Sequence, residues 1–197
     1  MRYHRIMTKR ERIDQLALEI SDNNVAPELR AQATRLVMGD GSLDAAIVFI
    51  GEAPGKKEDE QGIPFVGAAG KFLNEMLASA NLRREDVYIT NIVKYRPPNN
   101  RDPLPEEKQA FWPYLMRQLE IINPRVVITL GRHSGAYFIP DLRISEDHGK
   151  ARHVTFDDHT FLVIPLYHPA AALYNGSMRP VLIKDFEAAA RLALAAR

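Results

Sequence analysis

The sequence predicts an α/β protein: a three-layer α/β/α sandwich around a central, mostly parallel sheet of about four strands. Two observations lead there. Short apolar runs recur along the chain, and stretches with helical apolar spacing separate them. Several of these runs also end in a glycine-bearing or polar motif, so those motifs gather at the carboxyl edge of the sheet, where open α/β folds place their ligands.

Residues 10–20 put Ile13, Leu16, Leu18 and Ile20 on one apolar side, and 27–37 form a second helical stretch after the turn-like SDNN. AAIVFI at 45–50 reads as a buried strand ending at Gly51. A helix over 68–80 spaces Phe72, Leu73, Met76, Leu77 and Ala80 along one face. VYITNIV at 87–93 is the second strand, RPPNNRDPLP a loop, and 106–122 a helix. RVVITLG is the third strand, 132–138 a short helix, and 144–158 irregular. TFLVIPLY at 160–167 is the fourth strand, and 180–196 closes as a helix that tolerates Pro180 in its first turn.

A chain of 197 residues, 46% apolar and 26% charged, suits one soluble globular domain over 1–197, with 1–40 as a helical segment packed on it. The opening MRYHRIMTKRERIDQ is charged with no apolar stretch behind it, and no window is long enough to span a bilayer. The expectation is a cytoplasmic protein with no membrane partner, nucleoid-associated in a prokaryote. There is no cysteine, which excludes disulfides, thiol nucleophiles and thiolate metal sites. With a net charge of +1, any hold on nucleic acid must come from a local basic patch.

Gly51, Pro54 and Gly55 shape a tight turn after the first strand, which projects Glu52 at the sheet edge and leaves backbone N–H groups free for a polar ligand. The match extends far beyond that turn: GEAPGKKEDEQGIPFVGAAG (51–70), YITNIVKYRPPNNR (88–101) and YHPAAAL (167–173) together closely resemble the motifs of family-4 uracil-DNA glycosylases. With the N-terminal segment, the resemblance covers nearly the whole chain.

That resemblance implies a monofunctional enzyme that flips uracil out of single- or double-stranded DNA and hydrolyses its N-glycosidic bond, releasing free uracil and leaving an abasic site. His168 would donate to the charge developing on uracil O2, and Glu52 would stabilise the oxocarbenium-like sugar and orient water. Asn91 would read the base edge, donating to O4 and accepting from N3–H, and Phe65 would stack on the base. Gly51, Ala53 and Gly55 would line the pocket. Ala53 and Gly55 stand where the best-known branch of the superfamily has an aspartate and a methyl-excluding tyrosine, so Glu58 is the candidate wall against thymine. Asn100 matches a second active-site asparagine. Lys94, Arg96, Arg101 and Arg179, with Lys184 in reserve, would touch DNA phosphates. Leu173 is the candidate wedge, with Tyr174 and Met178 beside it and Ala172 at the family's usual leucine position.

Family-4 enzymes usually hold a four-iron four-sulfur cluster on four cysteines, and here the matching positions are Asn23, Ala26, Tyr95 and Phe111. No iron–sulfur cluster or other cofactor is expected, and the two aromatics are expected to fill the vacated volume. No histidine occupies the NNRDPLP loop, so a covalent DNA adduct is not expected either. The enzyme is expected to act as a monomer. Two alternatives stay open: a catalytically silent base-binding module of the same fold, and a glycosylase preferring hypoxanthine.

Overall fold

In the computed structural model, which describes residues 6–156 and 158–195, the chain opens with helices α1 (Lys9–Asp22) and α2 (Pro27–Arg30). Strands β1 (Asp40–Gly41) and β2 (Ile47–Gly51) follow, then α3 (Lys56–Gln61), α4 (Ala68–Ser79), β3 (Tyr88–Asn91) and α5 (Pro105–Ile122). Next come β4 (Val126–Leu130), α6 (Arg132–Phe138), α7 (Ile144–Asp147), β5 (Arg152–Phe156) and β6 (His159–Leu166). Helices α8 (Ala171–Tyr174) and α9 (Arg179–Ala195) close the described chain. No described helix is long and apolar enough to cross a membrane.

Among the described residues one six-stranded sheet has the order β1-β3-β2-β4-β6-β5. The inner strands β3, β2, β4 and β6 pair in parallel, as their apolar runs predict, and the two edges pair antiparallel. Side-chain alternation along the inner strands divides the core. Ile47 and Phe49 of β2, Ile128 of β4 and Ile164 of β6 pack with α4 and α9, where Phe49 stacks on Phe186 at 5.2 Å. Val48 and Ile50 of β2, Val127 of β4 and Val163 of β6 face Leu115, Leu119 and Ile122 of α5 and Phe138 of α6. Helices therefore cover both faces, giving the three layers.

The structure redraws three expected elements. The stretch 27–37 is helical only to Arg30, because the N–H groups of Thr34 and Arg35 donate to the buried Asp59 carboxylate, at 2.8 and 3.1 Å, instead of to helical carbonyls. The strand expected over 87–93 stops at Asn91; the N–H groups of Ile92 and Val93 then bond the carbonyls of Gly51 and Glu52. The segment expected to be irregular over 144–158 holds α7 and the edge strand β5, whose Val154 and Phe156 turn the same way onto the core.

Thr8 caps α1, accepting from the Glu11 N–H while the Glu11 carboxylate accepts from the Thr8 N–H. Ile13 and Leu16 then seat α1 against Ile121 of α5. Beneath it Ile20, Val25, Leu29, Val93, Tyr95 and Phe111 form a separate apolar cluster.

Candidate active site

Gly51, Asn91 and His168 stand at or just beyond the carboxyl ends of β2, β3 and β6, and a cleft of about 440 Å³ opens between them. Its walls include Ala53, Gly55, Glu58, Phe65, Asn91, Asn100 and His168. The parallel register of β2 and β3 sets Gly51 beside Asn91, and only glycine fits there. A Cβ at Gly51 would lie 2.4 Å from Asn91 Oδ1 and 2.6 Å from the Phe65 ring. The amide and the ring thus approach each other across a bare backbone.

Asn91 is 2% exposed, yet its Oδ1 has no hydrogen-bond partner. An orphaned acceptor at that depth costs free energy unless a ligand satisfies it. Phe65 is buried in a left-handed conformation (φ 52°), with its ring centroid 5.8 Å from that of His168. The protein crowds His168 enough that burial pulls its imidazolium down to about 4, so the ring is neutral near pH 7. Its Nδ1 accepts the Ala170 N–H at 3.1 Å, which leaves the proton on Nε2 as a donor.

A second cleft of about 320 Å³ adjoins the first through His168 and is lined by Glu52, Arg132, His133 and Tyr167. Glu52 Oε1 is buried without a hydrogen-bond partner, although Lys108 Nζ lies 3.8 Å away and His133 Nδ1 3.6 Å. Burial and then the Asp102 carboxylate raise the Glu52 pKa to about 7, with Lys108 and Arg132 pulling the other way. Burial also lowers His133. Such a carboxyl group can hold or release a proton near neutrality. Glu52, Asp102 and His133 bring ligand atoms within 4.8 Å of one another. A cation there would meet the Lys108 ammonium, so the set fits a metal poorly.

Sequence reasoning places Lys94 on a DNA-facing loop, and the structure corrects this. Lys94 is fully buried, donating from Nζ to Thr90 Oγ1 (2.6 Å), the Asn91 carbonyl (2.8 Å) and Gln118 Oε1 (2.7 Å). Its ammonium cannot reach a phosphate. Burial pulls it down to about 7. The other expected cations also have protein partners: Arg101 grips Glu107 bidentately, Arg179 pairs with Glu75 and lies over the Phe72 ring, and Arg96 donates to Asn100 Oδ1. Glu58 lies in the cleft wall, accepting from the N–H groups of Val66 and Gly67. Beyond His168, Leu173 is 48% and Tyr174 91% exposed, whereas Ala172 is buried. Lys184 is exposed on α9.

The structure adds residues that the sequence did not single out. Lys56 and Lys57 line the cleft mouth, and Asp102, Lys108 and His133 surround Glu52. Lys56 and Lys57 were legible as cations inside the first motif. The other three converge only in three dimensions.

With no cysteine in the chain, a cysteine-held cluster is impossible. Tyr95 and Phe111, 4% and 0% exposed, meet edge to face at 5.9 Å, with Ala26 packed alongside and the Asn23 amide donating to the Tyr114 hydroxyl.

Residues 38–192 match the profile described as the uracil DNA glycosylase superfamily. The chain is similar to the Type-4 uracil-DNA glycosylase of Saccharolobus solfataricus, 51% identical over 156 residues that cover 76% of this chain and 72% of the relative. Against that of Archaeoglobus fulgidus identity is 49% over 183 residues, covering 90% and 91%. Against that of Thermotoga maritima it is 41% over 185 residues, covering 93% and 96%.

Proposed function

The chain belongs to the uracil DNA glycosylase superfamily, and from that premise we propose that it is a monofunctional uracil-DNA glycosylase that works without an iron–sulfur cluster. One observation carries the reading to the base: the buried Asn91 amide with its unpartnered Oδ1, set against the Phe65 ring across Gly51. Uracil offers a donor at N3 and an acceptor at O4, which match Oδ1 and Nδ2 of that amide. Cytosine offers an unprotonated nitrogen and an amino group, the opposite pattern. The target nucleotide leaves the stack for this slot, with Phe65 as platform.

Cleavage builds negative charge on the departing base and positive charge on the sugar. His168, neutral and protonated on Nε2, donates to uracil O2 as the bond breaks. Glu52, ionised, faces the sugar, orients a water toward C1′ and takes up its proton. The products are free uracil and an abasic site. The motifs place no lysine as a Schiff-base nucleophile, so strand cleavage is not part of this reading.

Lys56 and Lys57 at the cleft mouth, with Arg96, supply the phosphate contacts assigned to Lys94 on sequence alone. Tyr174 and Leu173 together offer the wedge that fills the gap left in the stack. Glu58, anchored to two backbone N–H groups, forms the wall against the thymine methyl.

The test is incubation of purified protein with single- and double-stranded oligonucleotides carrying uracil, hypoxanthine or a mismatched thymine, followed by alkaline cleavage of abasic sites. Alkali-sensitive product from the uracil strands alone is expected. Retained binding without product would favour a silent module, and product from hypoxanthine alone would reassign the pocket.

A further inference from the structure

Phe65 is held in a conformation that a bulky residue avoids, with φ 52°. Something must hold it there, and the first motif supplies only part of the answer. On the C-terminal side Glu58 Oε1 accepts the N–H groups of Val66 and Gly67, at 2.9 and 2.8 Å. On the N-terminal side the two carbonyls that the turn exposes, those of Pro64 and Phe65, accept from one guanidinium. Arg84 donates from Nη2 to the Pro64 carbonyl at 2.5 Å and from Nη1 to the Phe65 carbonyl at 3.2 Å.

Arg84 lies outside every motif discussed above, in the turn leading into β3. Its own orientation is fixed on two further sides. Nε donates to Asp40 Oδ2 at 3.1 Å, on the edge strand β1, and Nη1 also reaches Asn74 Oδ1 on α4 at 3.2 Å. The planar fork therefore ties the β1 edge, α4 and the Phe65 turn into one unit. Gly70 completes the seat: a Cβ there would come within 1.8 Å of the Phe65 carbonyl oxygen, so α4 can approach the turn only with glycine at this point.

We propose that Arg84 is a positioning residue for base recognition: by binding the Pro64 and Phe65 carbonyls it locks the strained turn that sets the Phe65 ring as the platform for the flipped base. This rests on the reading of Phe65 as that platform. Arg84 touches no reacting atom and acts only through Phe65. A lysine in its place keeps the charge for Asp40 but lacks the fork that serves two carbonyls from one plane.

A double-mutant cycle on kcat/KM for a single-stranded uracil oligonucleotide, with Arg84→Gln, Phe65→Ala and the double variant, tests this. Arg84→Gln is expected to lower kcat/KM by about 10- to 100-fold, the scale of a small misplacement away from the chemistry. In the Phe65→Ala background the same change is expected to cost less than about twofold, and added guanidinium is expected to restore part of the Arg84→Gln activity only where Phe65 is present. Equal losses in both backgrounds would overturn the proposal, as would a fall in melting temperature with kcat/KM unchanged. If Arg84→Gln does not fold, Arg84→Lys takes its place in the cycle, with about a tenfold loss expected and the same non-additivity required. Wild-type turnover and the Phe65→Ala loss are the controls. If either is missing, the reading of the site fails and this proposal with it. If both are present and Arg84→Gln is fully active, only this proposal fails.

Discussion

Two buried regions meet along residues 91–95 and are built on opposite principles. In one, Asn91 and, in the adjoining cleft, Glu52 keep buried oxygens with no partner, and a phenylalanine is held in a left-handed turn. In the other, Tyr95 and Phe111 meet within an apolar cluster of Ile20, Val25, Leu29 and Val93. The first region carries the cost of unpartnered buried oxygens, which the proposed substrate would offset. The second is satisfied by packing alone. Lys94 sits between them, its neighbours Val93 and Tyr95 belonging to the apolar cluster while its ammonium holds the Asn91 carbonyl. The difference is that the polar oxygens of Asn91 and Glu52 stay unsatisfied in the free protein, whereas Tyr95 and Phe111 are ordinary core.

Substitutions in the two regions should therefore fail in different ways. The largest effect on rate is expected from His168→Ala, which removes the proposed leaving-group donor and should lower kcat about 10²–10³-fold with the melting temperature little changed. A matching loss of melting temperature would blur the distinction. On the apolar side, Phe111→Ala is expected to cost about 3–5 kcal/mol of unfolding free energy, read by denaturant titration, while the folded enzyme keeps its kcat/KM. Loss of turnover in a still-folded Phe111→Ala protein would show that the two regions are not separate.

Glu52 yields a smaller effect with a definite sign. Its folded pKa, about 7, lies above the ordinary 4.5, so the stability it contributes is full below about 4.5 and is lost as pH rises through 7. Activity runs the other way, because only the ionised carboxylate can accept the water's proton. kcat/KM is expected to climb through about pH 7 in the wild type, and the Glu52→Gln variant is expected to be slow, flat across that range and more heat-stable than wild type at pH 8. A Glu52→Gln profile that keeps the same limb would assign it to another group. The smallest effect belongs to the cleft mouth: Lys56→Ala and Lys57→Ala should each reduce the slope of log affinity against log salt by roughly 0.7–0.9, with turnover at saturating DNA preserved.

The inner sheet was legible because its four parallel strands are short, largely apolar runs, and helices cover both of its faces. The edges were not. Strand β1 is only Asp40 and Gly41, with no periodicity to read, and β5 alternates Val154 and Phe156 with polar residues in a stretch dominated by charge. The cleft residues Asn91, Phe65, Glu52 and His168 were legible by motif. Lys94 was misread because a lysine followed by Arg96 and Arg101 resembles a solvated basic loop. Its acceptor Gln118 comes from α5, 24 positions away, and nothing local announces it. Arg84, Lys108 and His133 escaped for the same reason: their roles arise from where the layers bring them.

Selection of uracil by the donor and acceptor pattern of the Asn91 amide is the step on which the proposed function turns. It is tested most directly by the ratio of kcat/KM on uracil to that on cytosine, in matched single-stranded oligonucleotides, for wild type and Asn91→Asp. An ionised carboxylate presents only acceptors, so it loses the amide's donor to O4; when protonated, its O–H can donate to cytosine N3 while its carbonyl accepts from the N4 amino group. That ratio is expected to collapse in Asn91→Asp, chiefly through lost activity on uracil; a ratio equal to that of wild type would show that the Asn91 amide does not select the base.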